Sequence, residues 1–183
     1  MTRAFVAVAP PEAAAAELGS YLERCRNVAP TFRWVAPAGV HLTLRFLGSV
    51  EEPVLAAVEA GLRAVRRPPF QLRLGGLGTF GGRRPSVIWL GLLEGATAAK
   101  ELAGQVESAC VAAGLEPETR PFRPHLTLAR ARDRFGSPLP ELPPAPELPA
   151  WTVTEMVLYE SRLGGGPPVY TPLARFPLEA ERP

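Results

Sequence analysis

The sequence has only two histidines, two cysteines and one lysine among 183 residues. Cys25 and Cys110 lie in separate amphipathic segments without CxxC spacing, which excludes a disulfide framework or cysteine metal cluster and predicts two small buried side chains. No apolar run approaches the ~20 residues of a membrane span. The apolar stretch in MTRAFVAVAPPE is too short for a signal peptide, so we expect a cytoplasmic protein without a membrane partner.

Arginine dominates the basic residues, with 19 arginines against a single lysine and a net charge of +2. The planar guanidinium suits phosphate and stacks on bases. A G+C-rich genome explains the overall bias better, so only the positions of individual arginines argue for nucleic acid. The composition, 46% hydrophobic and 21% charged, is that of an ordinary globular protein.

The order strand, helix, strand occurs twice. The β-rich run AFVAVAPP precedes a helix predicted from Glu12, and SVIWLGL precedes a helix predicted over Thr97 to Ala113. The tetrapeptide HLTL then follows in both halves, 36 residues after Phe5 and 37 residues after Ile88. Such duplication predicts two units packed about a pseudo-two-fold axis.

We therefore predict one domain over residues 1–183, with internal repeats at about 3–80 and 86–177. The proline-rich SPLPELPPAPELPA is predicted to be an ordered surface loop. WTVTEMVLYESRL is predicted to form one long strand, and GGGPPVYTPLARFPL a glycine-rich turn before an edge strand. GGLGTFGG lacks the GK[ST] ending of a phosphate-binding loop and is interpreted as a turn.

In the first HLTL, His41 and Thr43 share one strand face, while the two leucines face a core. Arg45 joins the polar face if no bulge intervenes. The same alternation predicts that Phe46 lies with the leucines in the core rather than stacking on a base.

In the second HLTL, His125 and Thr127 repeat this pattern. Arg130 has the opposite parity, so it joins them only if the strand bends or ends near Ala129. A single motif of this kind on a strand is more often part of an ordinary surface than of a catalytic site. Two motifs related by a pseudo-two-fold axis bring two imidazoles and two hydroxyls into one cleft.

Two facing imidazoles suit a phosphodiester reaction, in which the attacking and leaving oxygens lie roughly in line through phosphorus. Histidine acts as acid or base near neutral pH, and hydroxyl or guanidinium groups stabilise charge on the other oxygens. This chemistry requires no metal or cofactor. A zinc site would need further ligands, and no HxxxH or ligand-spaced cysteine or carboxylate accompanies the histidines.

The segments HLTLRFLGSV, PFQLRLGGLGTF, RPFRPHLTLAR and LYESRL with VYTPL resemble the two-histidine (2H) phosphoesterase superfamily. The similarity is strongest to its RNA 2′,3′-cyclic phosphodiesterase branch, also called 2′-5′ RNA ligase, and covers nearly the whole chain. It implies a bilobal α+β fold with two antiparallel sheets lining a central cleft and helices outside. The implied activity is hydrolysis of an RNA-terminal 2′,3′-cyclic phosphate to a 2′-phosphomonoester, with reversible 2′-5′ ligation in some members.

The resemblance also implies residue roles. His41 would be the proton donor and His125 the proton acceptor, while Thr43, Thr127 and Arg130 would bind the phosphate. The expected partner is RNA or a nucleotide with a cyclic phosphate end, bound by a monomer. Two alternatives stay open at this point: a non-catalytic RNA-binding module, and a cyclic phosphodiesterase acting on a small nucleotide.

Overall fold

The computed structural model describes residues 1–164 and 167–179. Over these residues the chain forms nine strands, three α-helices and a short 3-10 helix. The strands are β1 (Thr2–Val8), β2 (Phe32–Trp34), β3 (Leu42–Val50), β4 (Phe70–Phe80), β5 (Val87–Glu94), β6 (Leu126–Ala131), β7 (Trp151–Val153), β8 (Glu155–Arg162) and β9 (Val169–Pro177). The helices are α1 (Glu12–Val28), the 3-10 turn (Pro37–Gly39), α2 (Glu52–Arg63) and α3 (Ala96–Ala112).

The strands form one strongly curled antiparallel sheet in the order β7-β4-β5-β6-β3-β1-β8-β9, with β2 also pairing with β6. Strand β3 meets β6 through a single pair, Leu42 with Leu126. The two antiparallel sheets expected from the sequence are therefore joined edge to edge at the two HLTL motifs. The predicted α+β class, antiparallel pairing and outer helices are confirmed.

The strand order reads the same from either end when β1 is equated with β5 and β3 with β6. The two halves of the sequence, about residues 3–80 and 86–177, nevertheless each contribute one strand to the other half's side of the sheet. Strand β4 follows α2 in the chain but pairs with β5, and β8 follows β7 but pairs with β1. Each side of the sheet is therefore built from both halves of the sequence.

The helices pack on the convex side of the sheet over a continuous core. Alternate residues of β1 (Ala4, Val6 and Val8) belong to this core, together with Leu18 and Leu22 of α1. Phe5 is equally buried, at 2% exposure, but packs on the concave side against other aromatic rings. The concave side of the sheet therefore carries a second set of side chains.

Most predicted elements are confirmed, including the helices predicted from Glu12 and over Thr97 to Ala113, the unpaired buried cysteines and the irregular proline-rich loop. The single strand predicted for WTVTEMVLYESRL is wrong, because β7 pairs with β4 whereas β8 pairs with β1. The turn predicted for GGLGTFGG is also wrong in part, since residues 75–80 continue β4. Gly78 permits this, because a Cβ there would lie 2.2 Å from the ring of Trp89. Within the predicted GGGPP turn, Gly165 and Gly166 lie outside the described residues.

A β-bulge in β3 overturns the expected facing of Arg45 and Phe46. Ala7 pairs with Thr43 and Val6 with Arg45, so Leu44 is an extra residue and the alternation reverses after it. Arg45 consequently turns to the helix side, where its side chain is 11% exposed and its Nε lies 2.6 Å from a carboxylate oxygen of Glu107. Phe46 turns to the concave side and is 53% exposed.

Candidate active site

The two HxT motifs meet at the junction of β3 and β6. Because Leu42 pairs with Leu126 in antiparallel register, the next positions place His41 opposite Thr127 and Thr43 opposite His125. The two histidines are then diagonal neighbours, for which strand geometry gives Cα atoms roughly 7–8 Å apart. All four side chains are half-buried. The register therefore brings the two HxT motifs next to each other at the junction of β3 and β6.

The backbone fixes the orientation of both imidazoles in the same way. His41 Nδ1 lies 2.8 Å from the Gly39 carbonyl oxygen, and His125 Nδ1 lies 2.6 Å from the Arg123 carbonyl oxygen. A carbonyl only accepts, so each Nδ1 carries the hydrogen. Each neutral ring then leaves the lone pair of Nε2 free to accept a proton.

Aromatic rings enclose each histidine. Phe5 and Tyr170 lie 4.7 and 5.2 Å from His41 between ring centroids, with Tyr170 edge-on. On the other side, Phe80 lies 5.2 Å from His125, also edge-on. Sequence reasoning did not single out these rings as site residues, because they lie outside the HxT motifs.

Burial in this aromatic surrounding lowers the pKa of both histidines. For His41 the pKa falls from 6.5 to about 4, with the positive charge of Arg130 contributing and the Gly39 carbonyl opposing the change. Burial also lowers the pKa of His125, again with a contribution from Arg130 and opposition from the Arg123 carbonyl. Arg130 therefore acts electrostatically on both imidazoles.

A bulge in β6 brings Arg130 to the concave side. Ile88 pairs with Ala129 and Trp89 with Thr127, which leaves Leu128 as the extra residue. Leu128 and Ala129 are consequently both buried, while Arg130 is exposed. The irregularity near Ala129 on which the placement of Arg130 depended is confirmed.

Arg130 also lines a depression of about 300 Å³ whose wall includes Phe5 and Tyr170, the two rings that pack against His41. Phe46 and Arg3 line it as well. The exposed ring of Phe46 thus faces the same space as two guanidinium groups. A planar apolar surface beside positive charge suits a nucleobase attached to a phosphate.

Two further observations concern the described residues 1–164 and 167–179. Among them, no group of three or more histidine, cysteine or acidic side chains is arranged to hold a metal ion. Nor is any helix in these ranges long and apolar enough to cross a membrane.

The curled sheet and the facing HxT motifs define a two-histidine phosphoesterase. A sequence model described as the 2′-5′ RNA ligase superfamily matches residues 10–165. The chain belongs to that superfamily.

Relatives named RNA 2′,3′-cyclic phosphodiesterase support this membership. The protein of Thermus thermophilus is 36% identical, with 98% of this chain and 91% of the relative covered. The protein of Escherichia coli is 35% identical over 80% of each. The protein of Geobacillus stearothermophilus is 36% identical over 95% of this chain, which spans 56% of that relative's length.

Solved structures show the same fold. E. coli LigT complexed with 3′-AMP has a TM-score of 0.81 and 32% identity, covering 97% of this chain and 98% of LigT. TT0787 of T. thermophilus has a TM-score of 0.82 and 32% identity, covering 98% and 100%.

Proposed function

We propose that this protein hydrolyses the 2′,3′-cyclic phosphate at an RNA end to a 2′-phosphomonoester without a metal ion. The observation that carries the proposal is the pair of imidazoles, His41 and His125, that are hydrogen-bonded in the same way across the β3–β6 junction. Membership of the superfamily and the names of its relatives support the substrate class. A 2′,3′-cyclic ester requires a ribose 2′-hydroxyl, so the substrate is RNA-like.

In this mechanism His125 Nε2 accepts a proton from water as its oxygen attacks phosphorus. The bond from phosphorus to O3′ breaks, and His41 donates a proton to that departing oxygen. The phosphate then remains on O2′. The same sequence, with a 5′-hydroxyl in place of water, gives 2′-5′ ligation.

Thr43, Thr127 and Arg130 are proposed to hold the non-bridging phosphate oxygens. The antiparallel register at the Leu42–Leu126 pair sets each threonine opposite a histidine, which supports a place for its hydroxyl beside the phosphate. The guanidinium of Arg130 adds positive charge where negative charge accumulates in the transition state. The monomeric state and cytoplasmic location expected from the sequence stay predictions.

Activity on a short RNA with a 2′,3′-cyclic end, measured in EDTA, tests the proposal. We expect a 2′-phosphate product, identified by ³¹P NMR. His41→Ala and His125→Ala should each lower kcat/KM by about 10²–10⁴-fold with unchanged circular dichroism. Lys100→Ala, on the exposed surface of α3, is the control and should retain full activity.

Three results contradict the proposal. No product from any cyclic substrate would rule out hydrolysis and leave the non-catalytic RNA-binding module as the alternative. Loss of the reaction in EDTA would rule out the metal-free mechanism. Substantial turnover by either histidine variant would rule out paired acid and base catalysis.

A further inference from the structure

His125 is preceded by a stretch of chain that belongs to no helix or strand. Residues 116–124, which we call the approach segment, lie between α3 and β6 and lead directly to His125. They form no backbone-to-backbone hydrogen bond with any described residue, in the ranges 1–164 and 167–179. The Arg123 carbonyl that accepts from His125 Nδ1 therefore belongs to a segment that the sheet does not hold.

Three prolines make the approach segment stiff. Pro117, Pro121 and Pro124 each fix one backbone φ angle, and each also restricts the residue before it to extended conformations. Arg123, whose carbonyl orients His125, is one of the residues restricted in this way. A stiff segment transmits the position of its first residues to its last, because few of its backbone torsions are free to absorb a displacement.

Arg45 holds the beginning of this segment. Its guanidinium donates to the Glu116 carbonyl oxygen at 2.6 Å and to the Glu118 carboxylate at 3.3 Å, while its Nε lies 2.6 Å from the carboxylate of Glu107 in α3. The Glu107 carboxylate in turn accepts the Glu118 N–H at 2.7 Å. Phe122 supplies a second, apolar attachment, since its ring is partly buried against the core. Arg45 and Glu107 thus bond the backbone of the segment at two points, one through a carbonyl and one through an N–H.

The corresponding carbonyl of the other histidine is held differently. Gly39, which accepts from His41 Nδ1, is the last residue of the 3-10 turn, and its N–H donates to the Ala36 carbonyl oxygen at 2.8 Å. Backbone hydrogen bonds close this turn, so its shape does not depend on the charged side chains around α3. Loss of the Arg45 contacts should therefore disturb His125 and leave His41 in place.

We propose that Arg45 is a positioning residue that sets the imidazole of His125 for its part in the reaction. The proposal rests on the function proposed above, in which His125 takes the proton from water. Arg45 lies on the helix side of the sheet, so it acts through the approach segment and the Arg123 carbonyl. The phosphate-binding residues of β6 are independent of this link, because pairing with β5 holds that strand.

Arg45→Met and Glu107→Ala break the link from opposite ends. In each variant the share of the Nδ1–H tautomer should fall for His125 and stay unchanged for His41, because the tautomer follows the hydrogen bond at Nδ1. Two-dimensional ¹H–¹⁵N NMR of the imidazoles, at a pH where both rings are neutral, measures this without any substrate. On the cyclic substrate kcat should fall about tenfold or more, since a small misplacement of a reacting group is costly, while KM stays within about twofold.

Arg67→Met is the matched control, because Arg67 is also a largely buried arginine paired with α3, through Glu101. It should lower the free energy of unfolding without changing the tautomer of His125 or kcat. All variants are compared at a temperature below their unfolding transitions, as followed by circular dichroism.

An unchanged His125 tautomer in both variants, equal changes in the two histidines, or the same loss of kcat in Arg67→Met would each overturn the proposal. Failure of the proposed function looks different. In that case the wild-type protein would give no product, while the tautomer change would still be confined to His125.

Discussion

At the scale of the residue, burial determines the charge of both histidines before any substrate binds. The pKa of His41 is about 4 and that of His125 is below its usual 6.5, so both rings are neutral at pH 7. A proton donor must be charged when it acts. A bound phosphate anion stabilises the charged imidazolium form, because negative charge beside an imidazole raises its pKa.

This reasoning predicts an upward shift of both histidine pKa values on binding 2′-AMP. Because the chain has two histidines, ¹H NMR should resolve two Cε1–H titrations. We expect the free protein to give one pKa near 4 and a second below 6.5, and the complex to give higher values for both. Ordinary values near 6.5 in the free protein, or no change with ligand, would contradict the prediction.

The roles of the two histidines can be separated through the leaving group. A p-nitrophenyl phosphodiester releases a weakly basic phenolate that does not need a proton. His41→Ala should therefore lose much less activity on this ester than on the cyclic substrate, whereas His125→Ala should lose both. The opposite pattern would exchange the assignments of donor and acceptor.

At the scale of the element, the bulge in β3 joins the strand carrying the first motif to α3 and the segment leading to the second. Arg45 contacts Glu107 of α3, and also Glu118 and the Glu116 carbonyl oxygen, which lie before His125 in the chain. A side chain expected on the polar face in the absence of a bulge instead holds the structural elements around the site together.

Removal of this link should destabilise the protein. Arg45→Met leaves Glu107 and Glu118 without their partner, and we expect a loss of about 1–3 kcal/mol in the free energy of unfolding by urea. Arg63→Met removes an exposed pair with Glu59 within α2 and should cost less than about 0.5 kcal/mol. Similar losses in the two variants would show that Arg45 is an ordinary surface residue.

The same bulge shows where the sequence stops being informative. Alternation correctly placed His41 and Thr43, because their register is set directly at the Leu42–Leu126 pair. It failed two residues later because a bulge depends on how β3 fits β1, a contact between distant parts of the chain. The need for an irregularity near Arg130 was predictable, because in a regular strand Arg130 would point to the face opposite His125 and Thr127.

At the scale of the whole molecule, the repeated HLTL predicted the convergence of the motifs but not the exchange of strands. Tyr170 of β9 and Phe5 of β1 both pack against His41. Strand β8 pairs with both β1 and β9 and so brings β9 to this side of the sheet. No local pattern in the sequence specifies that β8 crosses to the first half. The aromatic surrounding of the site is therefore a product of topology.

Strand exchange also predicts a single cooperative unfolding transition. Neither half can complete its part of the sheet without β4 or β8 from the other. Thermal unfolding followed by tryptophan fluorescence and by far-UV circular dichroism should give coincident curves. Two separated transitions, or a stably folded fragment of residues 86–183, would contradict this prediction.

The matching hydrogen bonds of the two histidines have a consequence for the direction of the reaction. Both rings donate Nδ1–H to the carbonyl two residues earlier, so in the free protein each imidazole presents an Nε2 lone pair that can accept a proton. The proposed roles then depend on how the substrate is bound, because the attacking water and the departing ribose oxygen lie on opposite sides of phosphorus. Running the proposed reaction backwards exchanges the roles of proton donor and proton acceptor.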